Sequence, residues 1–106
     1  MPLNPPICLE VVFVNVQASI LPNEYTTTFT SVGQGYGGGS FYFLTNVAVG
    51  MWCGNNSNGY AFRIKSLSNV TDLSCDAIIE DVDGFNALID PTENGGGPAN
   101  NTLGYI

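Results

Sequence analysis

Residues 60–82, YAFRIKSLSNVTDLSCDAIIEDV, hold two alternating apolar runs on either side of one turn. In residues 60–67 the side chains of Tyr60, Phe62 and Ile64 fall on one face, Leu67 rejoins them after a one-residue slip, and Arg63 and Lys65 take the other face. Successive side chains of an extended chain point to opposite sides, so apolar residues at every second position mark a half-buried strand. Asn69-Val70-Thr71-Asp72 is turn chemistry, and residues 73–82 resume the alternation with Leu73, Cys75, Ala77 and Ile79 on one face. The stretch is expected to form a β-hairpin whose cations face water.

Downstream of it, Asp83 is placed to cap one helical turn over residues 85–89, which Pro91 would end, because Asp is a favoured N-cap and Pro halts a helix. Residues 93–101 read as a glycine-rich loop and residues 103–106, LGYI, as a strand. A chain that stops on an apolar strand implies either that the strand is inserted into a sheet or that a longer parent chain continues beyond Ile106. Upstream, residues 54–59, GNNSNG, are a dense turn signal. Residues 41–53, FYFLTNVAVGMWC, suggest two short strands, or one bent near Asn46 or Gly50. Residues 33–40, GQGYGGGS, carry five glycines in eight positions and are expected to be a loop, since glycine loses the most freedom in any regular element. Residues 26–32 alternate Thr and Ser with apolar residues as a half-exposed strand, and the β-branched run ICLEVVFVNV, residues 7–16, makes a well-buried one. Residues 1–6, MPLNPP, are an extended arm stiffened by proline. The fold class that results is all-β: a small barrel, or a sandwich as second choice, of about six short antiparallel strands with long Gly/Asn-rich loops and at most one helical turn. Residues 7–106 form the single domain and residues 1–6 the arm.

Composition narrows function. The 106 residues include no histidine and two cations against nine carboxylates, a formal charge of −7. Such a surface repels phosphate backbones and anionic lipid, so neither nucleic acid nor membrane is expected as a partner. A surface low in charge and rich in neutral polar groups loses little when covered, which suits lasting contacts with other subunits. Without histidine the usual zinc sets and the bases for Ser or Cys nucleophiles are missing, and Glu80 with Asp83 is a poor carboxylate pair for glycoside chemistry. No catalysis and no cofactor are expected. Cys8, Cys53 and Cys75 lie in apolar stretches and read as packed free thiols, with a Cys53–Cys75 bridge as the alternative. The amino terminus has no basic or apolar leader pattern and no apolar run is long enough to span a bilayer, so neither a signal peptide nor a membrane segment is expected.

Three further patterns bear on binding. Gly33, Gly35 and Gly38 match G-x-G-x-x-G by letter, but strand-like FYFL follows where the dinucleotide fold needs a helix. Asp81, Asp83 and Asp90 fall at calcium-loop spacing around Gly84, yet the first ligand position would be Ile79, so the shell is incomplete and no metal is expected. Tyr25, Tyr36, Tyr42, Trp52, Tyr60 and Tyr105 pack as strand aromatics or, with neighbouring Asn and Asp, offer a platform for a pyranose ring built from loops 33–40 and 54–59.

The stretch YAFRIKSLSNVTDLSCDAIIEDVDGFNALID, with the glycine-rich loops and the Pro-rich start, resembles small β domains of viral and phage structural proteins such as fibre-base or capsid-decorating modules. The likeness covers roughly residues 60–106 and transfers no site residue. It implies a non-catalytic subunit of a virion, fibre or other extracellular particle, a homo-oligomer or part of a larger assembly. Both terminal segments are expected to serve as contacts, a terminal edge strand being able to add to a neighbour's sheet. The contact candidates are Pro5, Pro6, Tyr36, Trp52, Tyr60, Tyr105 and Ile106. The alternative is a lectin-like module that binds glycans through the aromatic and Asn residues of loops 33–40 and 54–59.

Overall fold

The hairpin expected at residues 60–82 is present. Strands β4 (Ala61–Ser68) and β5 (Ser74–Glu80) pair antiparallel, with Ile64 opposite Ile79 and Ser68 opposite Asp76. Their register shifts between Ile64 and Ser66, an irregularity that lets Leu67 turn back toward the core. The start of β5 departs from expectation: Leu73 is 70% exposed. The Thr71 hydroxyl accepts the N–H groups of Leu73 and Ser74 at 3.3 and 3.0 Å, so the chain is still turning there and the inward alternation begins only at Cys75.

The computed structural model describes residues 9–34, 44–89 and 97–106. Besides β4 and β5 it contains β1 (Leu9–Ala18), β2 (Glu24–Gln34), β3 (Trp52–Asn55), β6 (Thr102–Tyr105) and the short helix α1 (Phe85–Ile89). The strands close into an antiparallel barrel in the order β1-β2-β5-β4-β3-β6. Alternate residues of each strand fill its interior: Leu9, Val11 and Phe13 from β1, Phe29 from β2, Phe62 and Ile64 from β4, and Cys75, Ala77 and Ile79 from β5. Phe13 and Phe29 face each other in register and meet edge to face, 4.9 Å between ring centres, an arrangement the ring quadrupoles favour.

Two polar interruptions shape β1. Asn15 takes a left-handed backbone (φ 55°) inside an irregularity between Val14 and Gln17, and the Thr27 hydroxyl donates to the Val14 carbonyl oxygen at 2.9 Å. Beyond this point β1 turns outward and its burial fades. β2 runs on to Gln34, with Gly33 opposite Glu10, so the first two residues of the expected 33–40 loop are strand instead. The rest of that loop, including Tyr36, lies outside the described residues, as do residues 1–8 with Pro5, Pro6 and Cys8.

Of the expected strand region 41–53, residues 41–43 lie outside the described residues, and among 44–53 only Trp52 and Cys53 belong to a strand, β3. Leu44–Asn46 forms a single 3-10 turn because Leu44 is drawn into the core and its N–H donates to the Asp72 carbonyl at 3.2 Å. The C-terminal strand is inserted rather than left at an edge: β6 pairs with β1 on one side and β3 on the other. Ile106 is buried and exchanges two backbone hydrogen bonds with Leu9, at 3.0 and 3.2 Å. The edge-strand contact expected of Tyr105 and Ile106 is thus removed by barrel closure, which uses up the ladder hydrogen bonds that a neighbour would need. β1 likewise has partners on both sides.

Candidate functional site

The turn between β3 and β4 and the segment after β5 meet on one side of the barrel. Gly59 adopts φ +75°, and the Asn58 side chain holds the turn, accepting the Tyr60 N–H at 3.1 Å and donating to the Gly97 carbonyl at 3.2 Å. Tyr60 is consequently directed into the core.

Asp81, not Asp83, caps the helical turn. Its side chain is 1% exposed, one carboxylate oxygen accepts the Asn86 N–H at 2.8 Å and the other the Ala87 N–H at 3.1 Å. Asp83 instead takes a left-handed backbone (φ 57°) in the 3-10 turn Val82–Gly84 and stays exposed. From there α1 is fastened to β4 by buried Asn86, whose amide donates to the Ala61 carbonyl at 2.9 Å. Between α1 and the 56–60 turn lies a groove of about 480 Å³ lined by Trp52, Tyr60, Val82, Asp83, Phe85 and Ile89, with Asp81 and the Asn side chains at its base. The Arg63 guanidinium sits 6.0 Å from the Trp52 ring centre. The other basic side chain, Lys65, is ion-paired with Glu24.

A second hollow, more polar, lies on the outer face of β2, β5 and β4, where Thr26, Thr28, Ser66, Ser68 and Asp76 converge. Asp76 accepts from the Asn69 amide at 2.8 Å and the Thr28 hydroxyl at 2.7 Å, and these bonds hold its carboxyl below the usual range.

Of the candidates read from sequence, Trp52, Tyr60, Asp81 and Asp83 come together in the groove. Tyr105 does not line it; its hydroxyl lies 3.4 Å from a Glu10 carboxylate oxygen. Pro5, Pro6, Tyr36 and Asp90 lie outside the described residues. Among the described residues no group of three or more His, Cys, Asp or Glu side chains could hold a metal ion. Of the calcium spacing, Asp81 has both oxygens on backbone amides as a helix cap, Asp83 is exposed, and Asp90 lies outside the described residues. Cys53 and Cys75 are free, buried thiols; burial pushes the pKa of Cys53 upward and that of Cys75, helped by Asp76, to about 11. The residues missed in the sequence are Phe85, Ile89 and Asn86. A preceding Asp and a following Pro signalled the helical turn that carries them, but nothing local showed that it would lean on β4.

Among the described residues no helix is long and apolar enough to cross a membrane. Comparison with family models, with curated proteins and with solved structures finds no match for this chain. What fold and site define is therefore a class by architecture: a small closed antiparallel barrel carrying an aromatic groove with one buried and one exposed carboxylate.

Proposed function

We propose that this domain is a non-catalytic assembly module that acts by contact with neighbouring subunits in a virion, fibre or other extracellular particle. The observation that carries the reading is the amount of large apolar side chain left outside the core. Ile20 is 99% and Leu88 77% exposed, and Leu21, Phe85 and Ile89 are more than half exposed. These residues gather at one end of the barrel. The β1–β2 turn and the segment leading into α1 are joined there by the Asp81 N–H donating to the Asn23 carbonyl at 2.8 Å. Apolar side chains grouped in this way on a surface with few charges mark a face that becomes covered. The resemblance of residues 60–106 to viral and phage structural domains supplies the setting.

The carbohydrate alternative has Trp52 and Tyr60 in its favour, but several of the polar groups lining the groove already have partners, and residues 35–40 of the other loop it needs lie outside the described residues. The Asn58 and Asn86 amides and both Asp81 oxygens are bonded within the fold.

Light scattering behind size-exclusion chromatography tests the assembly reading over a concentration series. The expected result is a mass that rises with concentration and returns to monomer in Ile20→Ser and Leu88→Ser, both too exposed to unfold the barrel. A monodisperse monomer at every concentration overturns self-assembly.

A further inference from the structure

The groove beside α1 has apolar walls, Trp52, Tyr60, Phe85 and Ile89, and among the described residues its charged lining groups are Asp81 and Asp83. Aromatic faces attract cations through their quadrupole, and the exposed Asp83 carboxylate at the rim adds a charge attraction. Of the chain's two basic side chains, Arg63 lies 6.0 Å from the Trp52 ring centre and Lys65 is paired with Glu24, and neither lines the groove itself, so an incoming cation would meet the Tyr60 and Phe85 side of it.

We propose that this groove binds a cationic side chain flanked by apolar residues, an Arg or Lys within a short exposed segment of a different protein. A second copy of this chain is a poor donor because both of its cations are already placed. The aliphatic stem or apolar neighbours of the incoming residue pack on Phe85 and Ile89, which are both 58% exposed, while the charged head meets Asp83 at the rim. This deepens the assembly reading by naming the chemistry of a partner, and so rests on that reading for the partner's identity. The preference of the groove for a cation is tested separately.

The chain has a single tryptophan, and it lines the groove, so its fluorescence reports occupancy. The probes are the capped tripeptide acetyl-Ile-Arg-Ile-amide, its citrulline counterpart, which has the same shape without the charge, and methyl glucoside. The Arg peptide is expected to shift Trp52 emission saturably and to bind about ten-fold tighter than the citrulline peptide, a gap of about 1.4 kcal/mol. Asp83→Asn should close most of that gap. Phe85→Ala, at an exposed position, should weaken both peptides several-fold, and added salt should weaken only the Arg peptide. Equal affinity for the two peptides, no saturable binding, or preferential binding of the glucoside overturns the proposal. Self-association of the free protein without peptide binding would sink the groove assignment and leave the assembly reading standing, whereas peptide binding by a permanent monomer would do the reverse.

Discussion

One carboxylate oxygen of Asp81 accepts the backbone N–H of Asn86 at 2.8 Å from a position buried beneath the helix it starts. The first N–H groups of a helix have no partner of their own, and Asp81 satisfies two of them. Asp81→Ala is expected to lower stability by about 1–2 kcal/mol. Asp83→Ala, at an exposed residue that caps nothing, should cost much less. Urea melts of the two variants discriminate between the two cap assignments, and equal losses would contradict this one.

Gly104 lies where β6 crosses between β1 and β3. A Cβ there would stand 2.2 Å from the Gly54 carbonyl oxygen and 2.3 Å from the Phe13 ring, and the first of these is backbone that cannot step aside. Gly104→Ala should cost at least the upper end of the about 1–3 kcal/mol typical of overpacking, or prevent folding. Gly59→Ala is the control: nothing lies within 4 Å, and only the left-handed backbone (φ +75°) opposes the methyl, for about 1 kcal/mol. Equilibrium unfolding of both variants measures the difference.

The contrast between those glycines shows how far the sequence could be read. Phe62, Ile64, Cys75, Ala77 and Ile79 announced their strands because alternation is a local property, and even the slip before Leu67 was visible. A small barrel also followed from about six short strands between Gly/Asn turns, but the strand order did not, since nothing in LGYI says that it will lie between Leu9–Ala18 and Trp52–Asn55. The same limit separates Asp81 from Asp83. Both precede the helix, and which one turns inward depends on the Asn23 carbonyl, which is distant in sequence and anchors the Asp81 N–H. The groove is a tertiary product of that choice: Trp52 and Tyr60 could be named as contact candidates, but Phe85 could not.

Cys53 and Cys75 are buried, and their thiols are held protonated by burial, Cys75 with a pKa of about 11. The thiolate is the reactive form, so both should resist Ellman's reagent in the native protein at pH 8 and react only as fast as the barrel opens. In a Cys8→Ser background, rapid native labelling would show that the barrel around them is not closed.

At acid pH the outer face of β5 should govern behaviour. Asn69 and Thr28 donate to Asp76 and lower its pKa below 3.8, so the folded state binds its proton less readily than the unfolded state. The associated stability is present above the unfolded value and is lost as pH falls through the folded one. Thr28→Val removes one donor without changing shape. Carboxyl NMR should then show the Asp76 titration moving up toward its ordinary value, and an unmoved titration would mean that the Thr28 bond is not formed in solution.

At alkaline pH two groups act in the same direction. Lys65 has its pKa raised above 10.5, chiefly by its hydrogen bond to Glu24, which outweighs the opposing effect of burial, with the charges of Glu24 and Glu80 adding to the rise. A raised lysine contributes stability that is whole below 10.5 and drains away as pH rises through the folded value, because the unfolded chain releases the proton first. Tyr25 has its phenol raised above 10.0, first by burial and then by the nearby Asp81 charge. The unfolded phenol ionises more easily than the folded one, so unfolding gains again as pH climbs past 10.0. The urea midpoint should therefore be level through neutral pH and fall from about pH 10 upward. Lys65→Gln should flatten part of that fall while lowering the neutral plateau, since Glu24 would be left 8% exposed opposite Glu80 with no cation beside it. Tyr25→Phe should remove the other part. If the fall survives in the double variant, the alkaline limb belongs to neither group, and the Lys65–Glu24 pair contributes nothing that the solvent does not already provide.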